Sequence, residues 1–192
     1  MSNSEDRNKH ADVTRDSIAV RPLEHGDPAK IMNIDFSLEG VTIYTWRDGN
    51  LVKGTEYEDG EDLSPDEKKS RIQPVENGVG KPGAIEVGAF KDDSLVGYIC
   101  IALLSHEDGM WKLWQTIVSK DYRRNGIATS MFQFAKKEAI KRGGKAICLL
   151  SAVNHSAVDF YRSVGFTPFE KPPEDEHWSY WDGEDIYMEM KL

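Results

Sequence analysis

The residues best suited to chemistry lie at 123–128, which read Arg-Arg-Asn-Gly-Ile-Ala between an apolar stretch and a helical one. A helix that begins here leaves its first backbone N–H groups without intrahelical partners, at the positive end of the helix dipole. Such a helix start is a ready site for phosphate. Gly126 and Ala128 are small enough to let a phosphate approach the backbone, and Arg123 and Arg124 add charged donors. The stretch therefore predicts an anion site.

The charge around this loop supports that prediction. The chain has a net charge of −9, yet residues 119–145 hold eight Lys and Arg against two Asp and Glu, a local net charge of +6. Lysines on a helix are also a common solvated face, which is the alternative for Lys136, Lys137 and Lys141. The loop matches neither the P-loop pattern nor the dinucleotide pattern Gly-x-Gly-x-x-Gly, so a nucleotide site of either kind is not indicated.

A second pattern lies about 28 residues downstream, where residues 154–166 read NHSAVDFYRSVGF. It resembles a signature of the GNAT superfamily of acetyl-CoA-dependent N-acetyltransferases, and the loop at 123–128 resembles the pyrophosphate motif of the same family. The second signature is carried by Asn154, Ala157, Phe160, Tyr161, Gly165 and Phe166. The resemblance covers about residues 18–46 and 84–192.

The resemblance implies acetyl-CoA as co-substrate and no metal. In the family, one strand splays from its neighbour and presents backbone groups to pantetheine and to the acetyl oxygen, and residues 114–118 match that strand. Asn154 matches a position that often binds the pantetheine arm, although it is equally suited to cap a helix. The positions expected to contact coenzyme A are Thr116, Ile117, Val118, Arg123, Arg124, Asn125, Gly126, Ile127, Ala128, Thr129, Asn154 and Tyr161.

Tyr161 is the expected catalytic general acid. The resemblance matches it to the tyrosine that donates to the departing thiolate, and a phenol stays protonated at neutral pH. The alternative is a core aromatic residue beside Phe160. The general base is open, because residues 110–118, where many relatives carry a glutamate, contain no carboxylate. Ordered water is the preferred proton acceptor, and the side-chain candidates are Glu86, His106 and His155.

Hydrophobic periodicity predicts the elements that position these residues. Strands are indicated at 18–20, 84–90, 95–104, 110–118, 145–150 and 186–192. Helices are indicated after residue 126, with Ile127, Met131, Phe134 and Ala135 on one apolar face, and at 154–164. The order of elements predicts an α/β or α+β fold, and with the resemblance a GNAT-like, mixed, mostly antiparallel sheet of about 6–7 strands flanked by helices.

Domain organisation follows from composition along the chain. Residues 1–17 are polar and are expected to form a disordered arm. Residues 18–192 are expected to be one N-acetyltransferase domain, with an irregular insertion at about 47–82 in which Ser64-Pro65 could start a short helix.

The overall composition restricts the class of protein. With 192 residues, 39% of them hydrophobic, the chain is typical of a globular protein. It shows neither a secretory signal nor a membrane-spanning stretch, which predicts a cytoplasmic protein with no membrane partner. Its acidic balance argues against nucleic-acid binding. Cys100 and Cys148 lie in apolar runs and indicate reduced core residues, and neither Cys nor His shows metal-ligand spacing.

Acidic residues suggest the chemistry of the acceptor. They occur in residues 169–185, together with Trp178, Tyr180 and Trp181, and in the irregular segment, as Glu56, Glu58, Asp59, Glu61, Asp62, Asp66 and Glu67. Acidic rims with aromatic faces attract cations, although such loops can also be merely solvated.

The sequence therefore predicts transfer of an acetyl group from acetyl-CoA to a primary amine of a small cationic molecule, by direct attack in a ternary complex. A polyamine and an aminoglycoside-like or streptothricin-like antibiotic fit this description. The alternatives are a protein lysine or N-terminal acetyltransferase and a non-catalytic acyl-CoA-binding module. A homodimer is left open.

Overall fold

The computed structural model describes residues 18–55, 57–173, 178 and 183–192. The arm expected at 1–17 lies outside this range, as do Glu56, Tyr180 and Trp181. The strands are β1 (Ile18–Pro22), β2 (Leu38–Val41), β3 (Tyr44–Arg47), β4 (Asn50–Lys53), β5 (Glu58–Gly60), β6 (Ala84–Lys91), β7 (Ser94–Ser105), β8 (Met110–Val118), β9 (Ala146–Ser151), β10 (Thr167–Phe169) and β11 (Ile186–Lys191). The α-helices are α1 (Pro65–Gly78), α2 (Ile127–Lys141) and α3 (His155–Ser163), and 3-10 helices span Asp27–Asn33 and Lys120–Tyr122.

Seven of these strands form the central sheet, in the order β1-β6-β7-β8-β9-β11-β10. All neighbouring strands in it run antiparallel except β8 and β9, which are parallel. This confirms the predicted mixed, mostly antiparallel sheet with flanking helices.

Helices cover both faces of the sheet. On one face, called the α2 face, Ile99 and Trp111 pack in a core cluster with Met131 and Phe132 of α2. On the other, the α1 face, Tyr98 and Cys100 pack with residues of α1 and of the first 3-10 helix, among them Val75 and Ile31. None of the described helices is both long enough and apolar enough to cross a membrane.

The apolar face predicted for α2 is right in part. Ile127, Met131 and Ala135 are buried, but Phe134 is only partly buried and Phe132, two residues earlier, is fully buried. The Phe132 ring lies 5.5 Å from that of Phe166, measured between ring centroids. Residue spacing alone could not choose between two neighbouring phenylalanines, because the core contact comes from a distant segment.

The segment at 47–82 is more ordered than expected. β3 pairs with β4, β5 pairs with β2, and α1 spans 14 residues. A capping box starts α1, since the Ser64 hydroxyl accepts from the Glu67 backbone N–H and the Glu67 carboxylate accepts from the Ser64 backbone. The helix start at Ser64-Pro65 was indicated by the sequence, whereas the two strand pairs were not foreseen because such short ribbons leave little hydrophobic periodicity.

Candidate active site

The two parallel strands separate soon after they meet. β9 pairs with β8 only at Met110–Lys112, through Ala146–Cys148, whereas β7 pairs with β8 as far as Val118. Within the described residues, the β8 edge at 113–118 that faces β9 therefore has no strand partner. Thr116, Ile117 and Val118, which were expected to contact coenzyme A, lie on this open edge.

A β-bulge divides β8 just before the open edge. Leu113 pairs with Ile101 and Gln115 with Cys100, so Trp114 is an extra residue between two consecutive pairs. Gln115 accepts a hydrogen bond from the Tyr98 hydroxyl at 2.6 Å and thus faces the α1 side. Trp114 remains 57% exposed. The bulge could not be predicted from the sequence, because the alternation of apolar and polar residues does not reveal one extra residue.

The loop that follows β8 offers a row of backbone donors. Arg124 and Gly126 have positive φ angles of 62° and 77°, and α2 begins directly afterwards. Within the described residues, the backbone N–H groups of residues 124–129 donate to no protein acceptor. A Cβ at Gly126 would have no atom within 4 Å. Free N–H groups, open space and a helix N-terminus together fit a phosphate group.

The two arginines of this loop differ in position. The Arg123 guanidinium turns inward and donates to the carbonyl oxygens of Val118 at 2.9 Å, of Asp35 at 3.2 Å and of Ser37. Burial lowers the pKa of Arg123. Arg124 is exposed. Arg123 thus joins the loop to residues 35–37, a role that the motif does not reveal, and Arg124 is the arginine whose side chain remains at the surface.

The remaining loop residues shape the turn. The Asn125 side-chain amide donates to the carbonyl oxygens of Tyr122 at 3.3 Å and of Arg123 at 3.1 Å. Ile127 is buried in the core, while Ala128 is partly buried and Thr129 is exposed. Their contribution to an anion site would come from backbone N–H groups.

Tyr161 connects α3 to the open edge of β8. Its side chain is buried, and its ring centroid lies 5.1 Å from that of Phe160 and 5.7 Å from that of Phe166. Burial raises the pKa of Tyr161, and the nearby Thr116 hydroxyl partly offsets that shift. Thr116 Oγ1 is buried and, among the described residues, makes no hydrogen bond of normal geometry. The ring is therefore a core residue while the hydroxyl lies beside Thr116.

Asn154 caps α3. Its Oδ1 accepts from the Ala157 N–H at 3.0 Å and from the Ser156 hydroxyl at 2.8 Å, which is the capping role that sequence analysis weighed. The adjacent His155 accepts at Nδ1 from the Thr42 N–H at 2.9 Å. A proton-accepting role for His155 would have to compete with this bond. His106 lies in the exposed turn between β7 and β8, at the end of β8 opposite the loop.

Glu86 lies on the α1 side of the sheet, in register with Cys100, which in turn pairs with Gln115. Burial raises the pKa of Glu86 to about 7, and the Cys100 thiol offsets part of the shift. Of the three side chains proposed as base, Glu86 is thus the one that shares a row of the sheet with the open part of β8.

A buried lysine was not foreseen. Lys112 Nζ lies 3.9 Å from the ring centroid of Trp114 and 4.6 Å from that of Trp178. Burial lowers the pKa of Lys112. Trp178, expected in a substrate-facing rim, packs against Tyr187 with ring centroids 5.0 Å apart. In the described part of the expected aromatic rim, the cation that contacts the tryptophan rings is therefore the ammonium group of Lys112.

Several acids of the expected rim serve local structure. Asp59 accepts from the Gly40 N–H at 2.8 Å, and Asp62 accepts from the Phe36 N–H at 2.8 Å and pairs with Lys68 at 2.6 Å. Asp66 pairs with Lys69, and Glu67 belongs to the cap of α1. Glu61 is exposed. These contacts leave less free negative charge near residues 59–67 than the sequence suggests.

The described residues offer no metal centre. Among them, no three His, Cys, Asp or Glu side chains are arranged to hold a metal ion, and Cys100 and Cys148 are both reduced and buried.

Comparison with known proteins gives a family match. A family model described as "Acetyltransferase (GNAT) family" matches residues 44–166, more than half of the chain. No curated protein sequence matches the chain.

Solved structures share the fold over nearly the whole chain. Nourseothricin acetyltransferase is 22% identical with a TM-score of 0.68, over 91% of this chain and 98% of its own. A Bacillus anthracis protein assigned as a streptothricin acetyltransferase, solved with acetyl coenzyme A, is 18% identical with a TM-score of 0.68, over 92% and 99%. Aminoglycoside 6'-acetyltransferase type Ii is 21% identical with a TM-score of 0.60, over 90% and 96%. The chain belongs to the GNAT family and is an acetyl-CoA-dependent N-acetyltransferase.

Proposed function

We propose that this enzyme acetylates a primary amine of a small cationic molecule, by direct attack of the amine on acetyl-CoA in a ternary complex. The observation that carries the proposal is the opening between β8 and β9. The edge of β8 at 116–118, which has no strand partner on that side among the described residues, and the Tyr161 hydroxyl lie beside this opening, and the free N–H row at 124–129 follows it. Membership of an acetyltransferase family removes the non-catalytic acyl-CoA-binding module from consideration.

Backbone groups would hold coenzyme A. The N–H groups of residues 124–129 suit the diphosphate, and Arg124 adds an exposed positive charge. The open edge at 116–118 suits the pantetheine amides and can donate to the oxygen that gains negative charge during transfer. The thioester supplies the activated acetyl group. Asn154 contributes chiefly by fixing the start of α3, beside the same opening.

Tyr161 is the proposed acid for the departing thiolate. Its raised pKa keeps the hydroxyl protonated at neutral pH, so that a proton is available for the sulfur. Burial against Phe160 and Phe166 holds the ring in one orientation. Such positioning is what a general acid needs, since proton transfer requires hydrogen-bond reach.

A cationic acceptor is supported by two observations. The names of the similar structures identify acetyltransferases of nourseothricin, streptothricin and aminoglycosides, which are antibiotics that carry amines. The chain has a net charge of −9, and an acidic protein raises the local concentration of cations.

A compact acceptor is supported by the strap at residues 42–44. This strap is joined to the chain that follows β9, since the Tyr44 N–H donates to Val153 at 2.7 Å and the His155 N–H to Thr42 at 2.7 Å. The Tyr44 hydroxyl also donates to Asp159 at 2.7 Å. A polypeptide acceptor that lay across this end of the opening would have to displace the strap. Acetylation of a protein lysine or N-terminus is therefore the second candidate.

Two further parts of the proposal concern the setting of the enzyme. A cytoplasmic location fits the use of acetyl-CoA, and fractionation of the source cell tests it. A homodimer is tested by light scattering, in which a dimer has twice the mass of the 192-residue chain.

The test is a panel of amines assayed by release of the coenzyme A thiol. The panel contains spermidine, an aminoglycoside, a streptothricin, a lysine peptide and a neutral amine. We expect the highest kcat/KM with one of the first three, and a KM that rises with salt, because exposed charges are screened beyond about 8–10 Å at physiological ionic strength. A best acceptor that is neutral or a peptide, with no salt dependence, would contradict the proposal.

A further inference from the structure

The open strand lacks the group that would take a proton from the acceptor. No residue from Met110 to Val118 carries a carboxylate. An amine reaches the enzyme mostly as an ammonium ion, and it must lose a proton before its nitrogen can attack. A carboxylate on the same face of the sheet, close to the open edge, would meet this need.

The strand register places one carboxylate in the same row of the sheet as a residue of the open edge. Glu86 of β6 pairs with Cys100 of β7, which pairs with Gln115 of β8. Two strand spacings separate Glu86 from Gln115, about 10 Å between backbones. Gln115 directly precedes Thr116, where the proposed acetyl-CoA edge begins. The Cys100 side chain between Glu86 and Gln115 is buried against α1, so the proton of an amine bound at the open edge would reach Glu86 through water.

The packing around Glu86 leaves room for its carboxylate and gives it no salt bridge. A Cβ at Gly78 would overlap Glu86 Oε1, so the end of α1 fits over the carboxylate only because residue 78 is glycine. Glu86 Oε2 is buried and makes no hydrogen bond among the described residues, and the neutral Cys100 thiol is the polar side chain beside the carboxylate. Glu86 takes part in none of the salt bridges among the residues that the structure describes. Buried carboxylates that serve stability alone are normally paired.

We propose that Glu86 accepts the proton that the acceptor amine loses, in place of a carboxylate on β8. This inference rests on the proposed acetylation of an amine. The carboxylate of Glu86 takes one proton from the ammonium group and becomes a carboxylic acid. The nitrogen then forms the C–N bond while the C–S bond breaks and Tyr161 protonates the sulfur. The proton that the nitrogen releases as the amide forms returns to Tyr161, and Glu86 later loses its proton to water.

The titratable groups around Glu86 are consistent with this role. Cys100 and Tyr98 face it from β7, and burial raises the pKa of both above their ordinary values, so they remain protonated at neutral pH. Arg71 of α1 lies near Tyr98. Burial brings the pKa of Glu86 to about 7. Glu86 is therefore the member of this cluster that gains and loses a proton near pH 7, where a general base is most effective.

The test compares Glu86→Gln with Glu138→Gln in the full-length enzyme, using the best amine of the panel. Glu138 pairs with Lys141 on the surface of α2 and serves as the control. We expect Glu86→Gln to lower kcat by roughly 10²–10³ and to abolish the fall in kcat/KM below pH 7, with acetyl-CoA affinity within about twofold of the parent. The control should match the parent.

Two results would overturn the inference. One is a Glu86→Gln enzyme whose kcat lies within about threefold of the parent value and whose kcat/KM still falls below pH 7. The other is an NMR titration of the wild-type protein, with labelled glutamate carboxyl groups, in which Glu86 titrates at its ordinary value. Failure of the proposed function looks different, since the wild-type enzyme would then acetylate no amine of the panel while Glu86 still titrated near pH 7.

Discussion

The two sides of the proposed reaction centre are built in different ways. The cofactor side, meaning the open edge at 116–118, the loop at 119–126 and the start of α2, presents mostly backbone groups. The acceptor side, meaning the α1 face and residues 35–83, presents side chains such as Glu86, Gln115 and Lys112. A backbone site requires only that small residues and turns occur at fixed spacing. A side-chain site depends on which distant residues the sheet aligns, so it leaves no compact motif.

The largest expected effect concerns Tyr161, where the two sides meet. Tyr161→Phe keeps the buried ring and removes the hydroxyl beside Thr116. We expect kcat to fall by roughly 10²–10⁴, the usual contribution of a positioned acid, with acetyl-CoA affinity nearly unchanged. The high-pH limb of the rate profile should disappear, because the hydroxyl that loses its proton there is gone. Steady-state kinetics across pH measures both.

The matched control is Tyr187→Phe, which removes a buried tyrosine hydroxyl from β11. If Tyr161 were only a core residue, both variants would lose about 1 kcal/mol of stability and keep their turnover. That outcome would mean that water, and not Tyr161, protonates the departing thiolate.

The second effect concerns the acceptor side and is read from stability. The pKa of Glu86 is about 7 in the folded protein and 4.5 for an ordinary glutamate, so between these values the folded state holds a proton that the unfolded chain has lost. Stability therefore falls as pH rises through this window, by about 3 kcal/mol from this group. Glu86→Gln should remove this decrease in stability, because glutamine does not titrate.

Urea unfolding of the parent and of Glu86→Gln at pH 4.5 and at pH 7.5 measures the difference. We expect the variant to gain stability relative to the parent at the higher pH. Curves that keep a constant separation at both pH values would mean that the carboxylate is solvated, and the acceptor side would then lack its buried charge.

The third effect isolates the backbone site. Gly126→Val forces a β-branched residue into a φ of 77° at the start of α2, and we expect acetyl-CoA to bind more than about tenfold more weakly. Gly143→Val is the matched control, because Gly143 has a φ of 82° and likewise has no atom within 4 Å of a Cβ. Both variants should lose similar stability. Calorimetry that finds equal acetyl-CoA affinities for the two would remove the anion site from this loop.

Much of the cofactor side could be predicted from the sequence because its signals are local. The start of α2 after Gly126 and the cap of α3 at Asn154 were both found from neighbouring residues. Arg123 shows where such reasoning stops, since its inward turn depends on the carbonyl oxygens of residues 35–37, which are distant in the chain.

The acceptor side was predicted less well because its contacts are long-range. Lys112 lies between tryptophans at 114 and 178, and only the folded chain brings these rings together. The acids of residues 59–67 looked free in the sequence, yet caps and ion pairs within the same segment use several of them. Composition counts charges and cannot say which of them are already neutralised.

The bulge at Trp114 adds one residue to β8 without changing the faces of the residues that flank it. Its neighbours Leu113 and Gln115 pair with adjacent residues of β7, so the ladder would close without it. Removing this one residue would leave Lys112 and Thr116 on the faces that they now occupy, whereas an extra residue elsewhere in a strand reverses every face that follows it. Trp114 is thus an extra residue inside a strand, and the bend that such a bulge introduces lies directly before the edge of β8 that, among the described residues, has no strand partner.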